Sequence, residues 1–119
     1  MTMKIVVLKF GGTSVGSVER IKNIVKIVIR YIKKRYKVIV VSSAMSGETN
    51  KLAKLTKEIS NNFTSSEYDS IVATGEQVSC SLIAGRLNHQ GYVARSWLGW
   101  QIPIFTTGNY SNSRIVKIN

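Results

Sequence analysis

Lys9-Phe10-Gly11-Gly12-Thr13-Ser14-Val15-Gly16 follows directly on the apolar run Ile5-Val6-Val7-Leu8. A stretch of mostly β-branched residues reads as a strand, over 4–9, buried on both faces because apolar and polar residues do not alternate. It runs into paired glycines and small hydroxyl residues, and a helical pattern follows. The expected product is a strand-to-helix turn with a cation at the strand's end. Such a turn suits phosphate, because helix N-termini carry free N–H groups and partial positive charge. Gly11 and Gly12 let backbone approach an anion with no Cβ in the way. The order of residues matches neither a P-loop nor the Gly-x-Gly-x-x-Gly dinucleotide fingerprint.

Outward from this turn, Ser17 is placed to cap a helix running to about residue 34. Val18, Ile21, Val25, Val28, Ile29 and Ile32 form its apolar stripe. Val38 to Val41 reads as a second buried strand, so residues 4–41 predict a βαβ unit with parallel strands. Ser42 to Asn50 is a polar loop, and a shorter helix carries Leu52, Leu55 and Ile59. A surface connection spans 61–66. A long helical pattern runs from Glu67 to about His89, with Ile71, Val72, Val78, Leu82, Ile83 and Leu87 as core positions and a weak point at Gly75. Gly91 is a C-terminal stop. Tyr92-Val93-Ala94 reads as a third strand and Arg114 to Ile118 as a last one.

Bulk properties narrow the class. The 119 residues suffice for one domain, and one cysteine, Cys80, excludes an internal disulfide. No apolar run approaches the roughly 20 residues of a membrane span, and the N-terminus shows no signal-peptide cleavage site. A cytoplasmic protein is expected. The net charge is +11, from 17 Lys and Arg against 6 Asp and Glu. Nucleic-acid grooves interleave basic with aromatic residues, whereas the basic cluster here, Lys33-Lys34-Arg35, ends a helix, where the dipole's negative pole favours cations. Charge spread over solvated faces is therefore the preferred reading, with no nucleic-acid or membrane partner expected. Acidic residues in a missing portion are a third reading.

Three segments carry candidate chemistry. In the turn, Lys9 supplies charge, worth about 4 kcal/mol for a pair at ~4 Å and an effective dielectric near 20, while Thr13 and Ser14 can donate hydrogen bonds. The Ser42–Asn50 loop follows the second strand, and in open α/β sheets ligands bind beyond the carboxyl ends of strands. Gly75-Glu76-Gln77 offers a carboxylate that either sits on a helix dipole or anchors a substrate ammonium. No His, Cys or carboxylate set has metal-ligand spacing, and no metal site is expected. Cys80 reads as a small core residue and His89 as a helix-end contact.

In this order, Lys9–Gly16, Val41–Leu52 and Gly75–Ser79 resemble aspartokinases of the amino-acid kinase superfamily. Gly91 to Ile104 is similar to them as well. The resemblance implies an α/β fold: a three-layer α/β/α sandwich with a mainly parallel sheet, of the carbamate-kinase-like kind. It implies transfer of the ATP γ-phosphoryl group, with Mg2+, to the side-chain carboxylate of L-aspartate, the first step toward lysine, threonine, methionine and diaminopimelate. By position, Lys9 would be catalytic, stabilising the transferring phosphoryl group. Lys9, Phe10, Gly11, Gly12, Thr13 and Ser14 would form the ATP phosphate turn. Ser43, Thr49 and Glu76 would bind aspartate, with Glu76 on its ammonium.

Departures from the family are as informative. Its catalytic domain is about twice this length. The later Gly-Arg-Gly-Gly-Ser-Asp-type motif, with its carboxylate-binding Arg, is absent, as are the nucleotide-base pocket and the regulatory domains. Where the family has Thr-Asp, this chain has Thr106-Thr107. The expectation is an incomplete sandwich over 1–119, inactive alone, whose site is completed by a complementary C-terminal chain or a homo-oligomer. The alternatives are another kinase of the superfamily, or a basic binding module without catalysis.

Overall fold

A computed structural model describes residues 2–118. β1 (Ile5–Phe10), α1 (Val18–Lys33) and β2 (Lys37–Ser42) form the expected βαβ unit. The two strands are parallel and in unbroken register, from Ile5 opposite Lys37 to Phe10 opposite Ser42. Then come α2 (Glu48–Ile59), α3 (Ser65–Val72) and α4 (Thr74–His89), with β3 (Ile104–Thr106) and β4 (Ile115–Ile118) closing an antiparallel ribbon.

The core lies between α1, α4 and one face of the sheet. Val15, Ile21, Ile24, Val25, Val28, Ile83 and Leu87 are buried, and Leu8, Phe10, Val38 and Val40 pack on them from the strands. Burial on both strand faces is not found. Ile5, Val7, Ile39 and Val41 are between 47% and 63% exposed, because no element among the described residues covers their side. The α/β class with a parallel sheet holds, in incomplete form, with one helical layer present. The radius of gyration, 16.2 Å, exceeds the about 13.5 Å of a closed domain this size. No helix among the described residues is long and apolar enough to cross a membrane.

Three expectations need correction. The long helical pattern divides at Ala73, two residues before Gly75, which itself lies inside α4. The stripe α4 buries is Gly75, Ser79, Ile83 and Leu87 at four-residue steps, while Val78 and Leu82 are exposed. Two small residues hold the near end of this stripe, where hydropathy alone gives no signal. Finally, Tyr92 to Ala94 is not a strand. The Asn88 side chain takes both backbone groups of Ala94, accepting from its N–H at 2.8 Å and donating to its carbonyl at 3.0 Å, so these groups serve no ladder.

Two helices end in the same way. In α1, Tyr36 N–H donates to Tyr31 O and Arg35 N–H to Ile32 O; in α4, Tyr92 N–H donates to Leu87 O and Gly91 N–H to Asn88 O. Both are Schellman motifs, with a left-handed residue at φ 64° (Arg35) and φ 84° (Gly91). Only the second uses glycine, although Tyr31 and Tyr36 stack edge to face across the first, 5.8 Å apart. Left-handed backbone costs a non-glycine residue roughly 1–2 kcal/mol, partly offset by the lower entropy of its unfolded chain. Arg35→Gly is expected to stabilise the protein by about 0.5–1 kcal/mol and Gly91→Ala to destabilise it by about 1 kcal/mol, both read from urea unfolding midpoints at constant slope.

Candidate functional site

The parallel ladder brings two loops together. Its last rung pairs Phe10 with Ser42, and Ser43 N–H continues it by donating to Phe10 O at 3.1 Å. The Gly11–Gly16 turn and the Ser43–Gly47 loop therefore leave the sheet side by side. Ser14 and Val15 N–H both donate to Gly11 O, and Gly16 N–H to Thr13 O. The amides of Gly12 and Thr13 make no backbone hydrogen bond among the described residues. They remain available to a ligand. The helix starts at Val18, as expected, capped by Ser17, whose Oγ accepts from Arg20 N–H at 3.2 Å. Any anion at the glycines is thus held by the turn and not by the end of α1. The Arg20 guanidinium reaches back and donates to Thr13 O, pinning the turn's tip.

The N-terminal turn of α4 supplies the third wall. Gly75 approaches so closely that a Cβ there would stand 2.8 Å from Ala44 Cβ. Ser79, one turn on, is fully buried. Its Oγ donates to Ser43 O at 2.6 Å, with Glu76 O 3.1 Å and Ser42 Oγ 3.4 Å away. This cluster ties the loop to α4. Gly47, left-handed at φ 82°, turns the loop into α2.

Between these walls lies an open cleft of about 460 Å3. Among the residues expected at a site, Gly12, Thr13, Ser43, Thr49 and Glu76 all line it. Lys9, Phe10, Gly11 and Ser14 do not. Phe10 packs against the core, and Lys9 extends from the open side of β1, one residue before the turn. Asn50 and residues Ala44 to Gly47 also line the cleft. Asn50 was legible as a polar residue in the first turn of a helix following a strand-end loop. Ser79 and Gly75, which shape the cleft, carry no such signal.

Glu76 is the one carboxylate on the cleft wall, and it joins none of the salt bridges among the described residues. Those are the surface pairs Lys22–Glu19, Lys51–Glu48 and Lys54–Glu58, each contributing little. No three His, Cys, Asp or Glu among the described residues converge as metal ligands. A magnesium ion carried with a nucleotide would find no carboxylate set among the described residues.

Cys80 follows the buried Ser79 and is half-buried. Burial pushes its thiol up; a backbone hydrogen bond from Ser42 opposes this, and the Glu76 carboxylate adds to it. At any given pH its thiolate fraction is thus below that of free cysteine. Alkylation by iodoacetamide should rise with pH along a curve displaced to higher pH than that of a cysteine peptide. Glu76→Gln should move that curve back toward the peptide's.

The Gly75–Ala44 contact gives a sharper expectation. Gly75→Ala should cost about 1–3 kcal/mol through overpacking, despite the better helix propensity of alanine, and Ala44→Gly in the same chain should recover most of it. Ser79→Ala, which leaves the Ser43 carbonyl without its buried donor, should cost about 1–3 kcal/mol. Thermal unfolding of the three variants checks all of these.

The amino acid kinase family pattern matches residues 4–119. The aspartokinase of Geobacillus stearothermophilus is 47% identical over 117 residues, 98% of this chain and 29% of that protein. Aspartokinase 2 of Bacillus subtilis is 45% identical over 117 residues, and the aspartokinase of Rickettsia conorii 44% over 119, with similar coverage. Among solved structures, the aspartate kinase from Synechocystis superimposes with a TM-score of 0.70 at 41% identity, covering 73% of this chain and 15% of that one. The chain thus spans about three tenths of the length of the curated relatives it matches. With the βαβ unit, the glycine turn and the strand-end cleft in place, this protein belongs to the amino acid kinase family, and its similarity within that family runs to the aspartokinases.

Proposed function

We propose that the cleft is the amino-acid side of an aspartokinase site. One observation carries this reading: Gly12, Thr13, Ser43, Thr49 and Glu76, far apart in sequence, line one cleft at the carboxyl ends of two parallel strands. Glu76 supplies the negative charge that an α-ammonium needs. Ser43 and Thr49 supply hydroxyls for the polar groups of a small amino acid. The N–H groups of Gly12 and Thr13 suit phosphate oxygens, within the turn formed by Phe10 to Ser14.

In the proposed reaction a side-chain carboxylate oxygen of L-aspartate attacks the γ-phosphorus of ATP. The bond from that phosphorus to the β,γ-bridging oxygen breaks, and ADP leaves with the electron pair. The carboxylate is already ionised at neutral pH, so no base is required of the chain. Catalysis then rests on alignment and on neutralising charge at the phosphoryl oxygens. Lys9, at the end of β1 beside the turn, is assigned the second task. Its benefit is the part of the interaction that grows in the transition state.

The chain carries one side of this reaction. We read it as the N-terminal, amino-acid-binding portion of the kinase domain, working in the cytoplasm with a nucleotide-binding portion supplied elsewhere. Alone, it should show no sustained ADP release from Mg-ATP and L-aspartate in a coupled assay. Turnover by the chain alone, abolished by Lys9→Ala, would overturn that view. In the completed enzyme, Lys9→Ala should lower kcat by about 10²–10³ with KM little changed, as for loss of a transition-state charge contact. Glu76→Gln should instead raise KM for aspartate about 10- to 100-fold, the loss of one charge-assisted hydrogen bond of about 1.5–3 kcal/mol. A preference for another acceptor amino acid would reject the substrate assignment.

A further inference from the structure

We propose that the groove between α1 and α4 is a binding site for a medium-chain carboxylate, an amphiphile of about ten carbons. The groove shares no lining residue with the cleft, so the inference does not rest on the aspartokinase reading. Three observations carry it.

The first is the make-up of the groove. It is an open recess of about 310 Å3 between the start of α1 and the second half of α4, at the lower end of the about 300–1,000 Å3 of small-ligand sites. Val18, Ile21, Leu82 and Gly85 form its apolar wall. Ile21 belongs to the buried core, whereas Val18 and Leu82 are 60% and 43% exposed. A methylene displaces about as much volume as a water in the liquid, roughly 30 Å3, so about ten such groups fill the recess.

The second is a glycine that the packing of the chain does not call for. Gly85 lies inside α4, where glycine is destabilising relative to alanine. Its backbone is not left-handed, and a Cβ there would meet nothing within 4 Å. Gly75 in the same helix is the contrast, since a Cβ at that position would stand 2.8 Å from Ala44 Cβ. Gly85 thus gives up helix stability with no close approach in return. What it keeps is room, because it lines the groove and a side chain there would take up groove space.

The third is charge. Both ionisable groups on the wall are cations, Lys22 and Arg86. Lys22 meets Glu19 at 3.6 Å in a surface pair whose side chains are 45% and 72% exposed, a contact that holds the lysine only weakly. Arg86 joins no salt bridge among the described residues. A guanidinium takes a carboxylate through two parallel hydrogen bonds, which suits Arg86 to the head of the ligand while the tail lies on Val18 and Leu82. The rival occupant is a helix of a second copy, since Ser81 and Gly85 are small and adjacent on the face of α4. That copy brings the same two cations and sets a net charge of +11 against +11, so charge complementarity favours the small anion.

Calorimetric titration of this full chain with decanoate, below its micelle concentration, tests the site. One-to-one binding is expected. From hexanoate through octanoate to decanoate the affinity should rise about two- to fourfold per methylene, the range from half to full burial of the group. Octanol should bind about tenfold more weakly than octanoate, for want of the charged head. Gly85→Leu should lower the affinity for decanoate by about tenfold or more, the worth of two displaced methylenes, while its unfolding midpoint holds or rises because leucine is the better helix former. Should that variant melt early, Arg86→Gln decides. Decanoate weakened about tenfold with octanol unchanged supports the site, and any other pattern rejects it. No binding, binding that survives Gly85→Leu (as uptake on the open sheet face would), octanol as tight as octanoate, or a homodimer that Gly85→Leu disrupts each overturns the proposal. Binding to anionic phospholipid vesicles without binding of free decanoate assigns the groove to a membrane surface and overturns it as well.

Discussion

Parallel pairing of β1 with β2, in unbroken register to Phe10 opposite Ser42, is the constraint on which the rest depends. Each strand of a parallel pair delivers its following loop to the same edge. The ladder therefore sets the glycine turn beside the Ser43–Gly47 loop without any direct attraction between their side chains. Stability of that pairing comes from one side, where α1 and α4 close the core over Leu8, Phe10, Val38 and Val40. The site is thus a consequence of backbone geometry, and its chemistry is fitted to an edge that already exists.

α4 turns that edge into a cleft. Its contribution is made through small residues, since only Gly75 permits the 2.8 Å approach to Ala44 and only a small hydroxyl residue fits where Ser79 holds the Ser43 carbonyl. Glu76 is carried to the cleft wall between these two anchors. Its place follows from packing one residue before it and three residues after it, which is why a helix of unremarkable hydropathy matters so much here. Lys9 stands apart. It belongs to the strand face that no described element covers, so the cleft and the proposed catalytic charge lie on different sides of the same strand end.

Much of this was legible beforehand, for stated reasons. The β-branched runs at Ile5–Leu8 and Val38–Val41 and the apolar stripe of α1 specify the βαβ unit, since their periods fit no other element. The motifs at Lys9–Gly16, Ser43–Asn50 and Gly75–Glu76 carried the family resemblance, which the matches to aspartokinases bear out. Two-faced burial of the strands was read from the same runs and is not found. An apolar run reports what a strand is suited to contact, whereas actual burial needs a partner to be there. The third strand at Tyr92–Ala94 failed because a side chain, Asn88, took the backbone groups a ladder would use.

By itself, then, the sequence determined which segments are strand and helix, that the strands run parallel, and which family the chain belongs to. These follow from local periodicity and from short motifs, which need no long-range information. Only the tertiary structure decided that five of the expected site residues share one cleft while Lys9 lies outside it, and that one sheet face stays open. Those outcomes depend on contacts between residues 30 to 65 positions apart, such as Ser79 to Ser43 and Gly75 to Ala44. No local pattern encodes such contacts, because their energy exists only once the chain has folded.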